Sequence, residues 1–259
     1  MRIKLLLLFC GVGVLFSACS NHIYAPALLR QDIAYQPKPA SFDSSKFATY
    51  FSGGVNLYSN QNLDDQLVSG QFNLSQGATF KHANLAYGAF GVFGDYGNSQ
   101  GNSNDANYFT DKFFGAVGGR ISGDLFFTSG RADIRIIGFE AAYSHEFGSY
   151  ADFRKANVNA INFHTDTRTD LVTIGLTSEI LFHNISNTNI QHGIRGFLGY
   201  TFGNNDLDIT DNNNSDNRTF QERFFRNVIP KLSYFIKVKQ YFGTVEVGNG
   251  AFIRVGASF

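Results

Sequence analysis

The chain has 259 residues, with 21 Lys and Arg against 21 Asp and Glu, a length that accommodates one or two ordinary domains. This balance excludes a global attraction to nucleic acid or anionic headgroups; losing Arg2 and Lys4 with the leader described next leaves 19 basic against 21 acidic residues. The 28 Phe, 12 Tyr and 27 Gly suit curved strands better than helices, and both cysteines fall within the first 19 residues, which excludes a disulfide framework, a thiolate metal site and a cysteine nucleophile from the rest.

The chain opens MRIKLLLLFCGVGVLFSACS, with Arg2 and Lys4 ahead of an apolar run over residues 5–16 and two small residues, Ser17 and Ala18, before Cys19. That is the layout of a secretory signal peptide, and the run is shorter than the roughly 17–25 residues a membrane-spanning helix needs. Leu15-Phe16-Ser17-Ala18-Cys19 resembles the lipobox of bacterial lipoproteins. The resemblance implies cleavage after Ala18 and acylation of Cys19 on its sulfur and new amino group. The other reading is an ordinary signal peptide cut at the same bond. Ser20, where an acidic residue would imply inner-membrane retention, together with the absence of an acidic run, leads to an anchor in the periplasmic leaflet of the outer membrane.

Residues 20–46 carry three of the four prolines, Pro26, Pro37 and Pro39, together with Ser41, Asp43, Ser44 and Ser45. This composition predicts an extended tether rather than a packed element.

From residue 47 the apolar residues keep a period of two. Over 68–80, Val68, Phe72, Leu74 and Phe80 share one parity and Ser69, Gln71, Asn73 and Thr79 the other. Over 113–127, Phe113, Val117, Ile121, Leu125 and Phe127 oppose Arg120, Ser122 and Asp124. From Leu171, Val172, Ile174, Leu176, Ile180 and Phe182 oppose Thr173, Thr177 and Glu179. At the end, Ala251, Ile253, Val255 and Phe259 oppose Arg254 and Ser258. Further strands are predicted near 47–59, 84–96, 134–147, 192–203, 219–228 and 232–246. Alternation of this kind separates the two faces of a strand.

A soluble β-sandwich and a membrane barrel both alternate, in opposite senses. The barrel is favoured by strands of 10–15 residues, by mid-strand Arg120, Asp124, Glu140, Glu179, Arg195 and Arg254, and by Pro230 being the one proline after residue 39. Short turns are predicted at 81–83, 128–130, 184–191 and 229–231, and longer polar loops at 60–66, 97–111, 148–168 and 204–218. Short periplasmic turns and long outer loops are the rhythm of outer-membrane barrels. It places both barrel ends in the periplasm. The fold expected is all-β, an antiparallel up-and-down transmembrane barrel of ten strands, or eight if the region after residue 219 merges into one strand.

The terminal run Arg254-Val255-Gly256-Ala257-Ser258-Phe259 resembles the C-terminal signal read by the barrel-assembly machinery. With the loop rhythm, residues 47–259 resemble the small outer-membrane barrels of the OmpA/OmpX type. The domain division is then a signal peptide over 1–18, a lipidated tether over 19–46 and a barrel over 47–259.

Little in the sequence carries chemistry. The six histidines show no metal-ligand spacing, and His145 beside Glu146 reads as a rim hydrogen bond. No nucleophile-elbow pattern is present. In the loop 204–217, Asp206, Asp208 and Asp211 are weak Ca²⁺ candidates. Counting from Asp211 puts Glu222 twelfth, but Asp216 stands where such a loop needs Gly, and a solvated loop is the better reading. Arg120, Asp124, Glu140, Glu179, Arg195 and Arg254 are expected to form a luminal ion-pair network that plugs the barrel, the alternative being a narrow conducting path.

The sequence therefore predicts a non-catalytic barrel with a structural or interaction role in the cell envelope. The runner-up is a small channel or porin, and the third reading a barrel enzyme acting on lipid. No cofactor is implied. The expected partners are outer-membrane lipids, the barrel-assembly machinery and other envelope proteins.

Overall fold

The computed structural model describes residues 22–59, 65–98, 109–160, 163–183, 190–202 and 228–259. Its strands are β1 (His22–Tyr24), β2 (Phe47–Ser59), β3 (Gln66–Thr79), β4 (Ala83–Gly97), β5 (Asp111–Ser129), β6 (Ala132–Phe147), β7 (Phe163–Thr165), β8 (Asp170–His183), β9 (Ile190–Thr201), β10 (Val228–Val238), β11 (Tyr241–Val247) and β12 (Gly250–Ser258). One helix, α1 (Ser149–Ala156), lies between β6 and β7. Ten strands, all but β1 and β7, form a closed barrel in which every neighbour is antiparallel and follows in chain order. The seam is β12 on β2, extended by Phe259, whose N–H and carbonyl bond Thr49 at 2.9 and 3.0 Å.

The alternation seen in the sequence is realised with its polar parity inward. Ser52, Asn56, Ser69, Asn73, Ser122, Thr173 and Thr177 are buried in the lumen, whereas Phe51, Val55, Leu74, Leu125, Ile253 and Val255 stand on the outer wall, each more than half exposed. A β-sandwich would bury the apolar set, so that alternative fails. An apolar outer wall around a polar interior is the arrangement suited to lipid. Among the described residues no helix is long and apolar enough to cross a membrane.

Ten strands are present, but not all as expected. The turn predicted at 229–231 is absent: Ile229, Pro230 and Lys231 lie inside β10, paired with Gly199, Leu198 and Phe197. Pro230 is tolerated because the ladder from β10 to β11 begins only at Leu232, leaving one side of the strand unpaired there. The hairpin instead turns at Lys239-Gln240, with Lys239 in the left-handed region (φ 57°). The span predicted as one strand over 232–246 is thus divided between β10 and β11, and residues 219–227 lie outside the described set. A second tight turn, Gly130-Arg131, uses a left-handed Gly130 (φ 60°).

These turns define one end of the barrel. The opposite end carries the loops, including the β6–β8 connection with α1 and β7.

β6 departs from strict alternation. Arg135 faces Glu179 and Gly138 faces Thr177, so Ile136 and Ile137 together oppose Ser178. Both isoleucines point outward. This β-bulge lets Arg135 and Glu140, of opposite parity, both face the lumen.

The stretch read as a tether outside any packed element is the main difference from expectation. Residues 33–40 do run without helix or strand, but Ile33, Ala34, Tyr35, Lys38 and Ala40 are buried inside the barrel, as are Tyr24, Ala25, Leu28 and Leu29 before them. Prolines fit here because an unpaired extended chain in a lumen has no ladder to complete.

Candidate functional site

The lumen and the segment that fills it form the candidate site. At the loop end, β1 pairs in parallel with β7, and Tyr24 meets Phe153 and Phe163 edge-on at 5.1 Å each. Tyr96 stacks on Tyr150 at 3.9 Å, with Phe109 against Phe153 at 4.7 Å. α1 presents Tyr150, Phe153 and Arg154 to this cluster. The Tyr150 hydroxyl donates to the Ala25 carbonyl at 2.8 Å. Burial raises the Tyr150 hydroxyl well above its ordinary value of 10, so it remains a neutral donor. Arg154 pairs with Glu146 at 2.5 Å, and the other Glu146 oxygen accepts the Ala27 N–H at 2.6 Å.

Deeper in, the chain turns through Leu29 N–H to the Pro26 carbonyl and Gln31 N–H to the Leu28 carbonyl. The Asp32 carboxylate accepts from Thr173 at 2.7 Å, and its carbonyl accepts from Arg120 Nε at 2.6 Å. The Arg120 guanidinium lies 3.7 Å over the Phe90 ring and also reaches Asn73. Lys231 Nζ donates to the Ile33 carbonyl at 2.8 Å.

Tyr35 is held on three sides. Its N–H donates to Glu246 at 3.0 Å, its carbonyl accepts from Arg254 at 2.8 Å, and its hydroxyl donates to Glu179 at 2.6 Å. Those wall residues are themselves paired: Arg254 with Glu246 at 2.6 Å, Arg135 with Glu179 at 2.7 Å, and Arg195 with Glu140. Lys38 pairs with Asp124 at 2.7 Å. The Pro39 carbonyl accepts from Thr79 and Arg135, the Ser41 N–H donates to Asp133 at 2.6 Å, and Asp43 pairs with Lys237 at 3.2 Å as the chain leaves at the turn end.

The wall therefore binds mainly the main chain of the segment. Arginine and lysine side chains supply donors for the carbonyls of Asp32, Ile33, Tyr35 and Pro39, and carboxylates accept the N–H groups of Ala27, Tyr35 and Ser41, which satisfies these groups of a buried peptide without strand partners. All six residues predicted to line the lumen do so: Arg120, Asp124, Glu140, Glu179, Arg195 and Arg254. Three of them share one chain of ion pairs, Glu140–Arg195–Glu246–Arg254, with Arg195 to Glu246 at 3.8 Å. Asp124, Glu179 and Arg120 instead reach Lys38, the Tyr35 hydroxyl and the Asp32 carbonyl.

Several functional residues went unseen in the sequence. Arg135 was hidden by the bulge, and Lys231 by the turn read at Pro230. Glu246 was legible, since it opposes the outward Val245 and Val247. Within the segment, the apolar Leu28, Leu29, Ile33 and Tyr35 were the available sign that this was no solvated linker.

His145 makes the rim hydrogen bond expected of it, to Asp170 at 2.9 Å on the exposed outer face. Among the described residues no group of His, Cys, Asp or Glu gathers as a metal site. Cys19 and the Ca²⁺ candidates Asp206, Asp208 and Asp211 lie outside the described residues.

Fold and site together define a closed, antiparallel ten-stranded up-and-down barrel whose lumen is occupied by its own N-terminal segment. No family model and no curated protein matches the chain. Among solved structures, it is similar to the transport unit of the autotransporter AIDA-I from Escherichia coli (TM-score 0.41, 7% identity, 90% of this chain and 94% of that one). It is also similar to the translocator domain of the autotransporter NalP from Neisseria meningitidis (TM-score 0.30, 8% identity, 85% and 90%). A third similar structure is Pseudomonas putida OprB (TM-score 0.26, 10% identity, 82% and 92%).

Proposed function

We propose that the protein is an outer-membrane barrel with a sealed lumen, serving a structural or interaction role in the envelope rather than passing solutes or catalysing a reaction. The observation that carries this reading is the burial of residues 24–40 inside the barrel, hydrogen-bonded to the wall along their length. The apolar outer wall supports a bilayer as its surroundings. The lipobox resemblance supports acylation at Cys19 after removal of residues 1–18. The barrel-assembly machinery, membrane lipids and envelope proteins that contact the loops are the partners this reading implies.

Single-channel recording in planar bilayers tests it. The intact chain is expected to show no steady current, and a chain lacking residues 24–40 to conduct through the polar interior that remains. A steady current through the intact chain would overturn the sealed reading in favour of a small channel.

A further inference from the structure

An even number of strands returns both ends of a barrel wall to the same side. Phe47 opens β2 and Ser258 closes β12, both at the turn end. The segment before Phe47 adds one crossing, inside the wall. Ser41 is bound to Asp133 beside the β5–β6 turn, Tyr35 to Glu179 and Glu246 midway, and Ala27 to Glu146 at the loop-end terminus of β6. His22–Tyr24 then pairs with Phe163–Thr165 of the long β6–β8 connection. Ten wall crossings and one internal crossing put His22 and Phe259 on opposite faces.

We infer that the N-terminal end of this protein is displayed on the loop face, the cell exterior, and that acyl chains carried by Cys19 enter the outer leaflet. The inference rests on the outer-membrane reading above, with its loops outside.

Distance decides the leaflet. Cys19 stands three residues before His22, a reach of about 11 Å when fully extended. The apolar band of such barrels is about 25 Å tall, more than twice that reach. The way back through the lumen is filled by residues 24–40, and the mouth by Tyr24, Tyr96, Tyr150 and Phe153. An anchor in the periplasmic leaflet, which Ser20 and the absence of an acidic run suggest, requires the whole segment to leave the barrel. That exit would break the bonds from Arg120, Lys231, Arg254 and Arg135 to its carbonyls.

The test uses the full chain in intact cells with one short epitope per variant: between Asn21 and His22, between Val158 and Asn159 in the β6–β8 connection, or between Gly130 and Arg131 in a turn. Heat-modifiable migration verifies that each variant folds. Should the first insertion disturb folding, Ser20→Cys read with a membrane-impermeant maleimide replaces it. The expected result is antibody binding to the first two without permeabilisation and to the third only after it. If the 158/159 epitope is exposed but the 21/22 epitope appears only on permeabilisation, the inference fails while the outer-membrane reading stands. If the 158/159 epitope is also hidden, or the turn epitope is exposed, that reading fails and the inference with it.

Discussion

The Tyr35 hydroxyl donates to Glu179 at 2.6 Å, joining the peptide inside the barrel to a wall carboxylate already paired with Arg135 at 2.7 Å. Tyr35→Phe keeps the ring against Phe235 and removes only that donor. A hydrogen bond to a charged group is worth about 1.5–3 kcal/mol, and Glu179 retains Arg135, so the lower half of that range is expected. The urea midpoint of the heat-resistant folded form in detergent measures it, and an unchanged midpoint would contradict the role given to Tyr35.

Arg254 and Glu246 offer a sharper comparison. Each bonds the other and also the Tyr35 main chain. Arg254→Met leaves a buried carboxylate short of its partner, which costs about 3–5 kcal/mol. Combining it with Glu246→Gln removes the stranded charge, and the double variant is expected to recover part of the loss. A double variant whose loss equals the sum of the two single losses would show that the residues act independently.

Gly77 faces the lumen where the segment passes. A side chain there would begin 3.0 Å from Pro39 Cδ and 3.2 Å from the Pro37 carbonyl oxygen, a crowding the neighbouring peptide must relieve. Gly77→Leu is expected to loosen residues 37–39 while the wall survives. Lys38, buried in the parent protein, should then react with amine reagents in the folded barrel. Protection equal to the parent would count against a tight passage at this point.

Tyr150 at the mouth gives a dependence on alkali. Burial makes its hydroxyl a weaker acid in the folded chain, raising its pKa above the ordinary tyrosine value, so its contribution is complete below the unfolded value near 10 and is lost as pH climbs above it. Tyr150→Phe should remove that dependence along with the bond to Ala25, at a cost of about 1 kcal/mol at neutral pH. Limited proteolysis near residues 22–27 at pH 8 and pH 11 reads both effects; equal alkaline loosening in the variant would assign the dependence elsewhere.

How much of this was legible follows from what periodicity can report. A repeat of two residues identifies a wall strand and its lipid side, so β2, β3, β5, β8 and β12 are readable nearly to their ends, and Arg120, Asp124, Glu140, Glu179, Arg195 and Arg254 fall inward by parity alone. Parity fails where the count of residues changes. Ile136 and Ile137 at the bulge conceal Arg135, and Pro230, read as punctuation, conceals Lys231. The occupant of the lumen follows no period, because Asp32, Tyr35 and Lys38 each meet a different wall residue at a different height. Its three prolines resemble those of a solvated linker, and the hints of a guest were its apolar Leu28, Leu29, Ile33 and Tyr35 and the demand for partners by so many inward-facing charges.

The wall's bonds to the carbonyls of Asp32, Ile33, Tyr35 and Pro39 and to the N–H groups of Ala27, Tyr35 and Ser41 carry a consequence for how this segment tolerates change. Groups that every residue shares are indifferent to which side chain is attached, but they are strict about spacing. Many single replacements between Ala25 and Ser41 would leave the grip intact. Inserting or deleting one residue would shift all the carbonyls on one side of the change out of line with their donors at once. At these contacts the segment is read as a ruler, by length, while Asp32, Tyr35 and Lys38 are also read by letter.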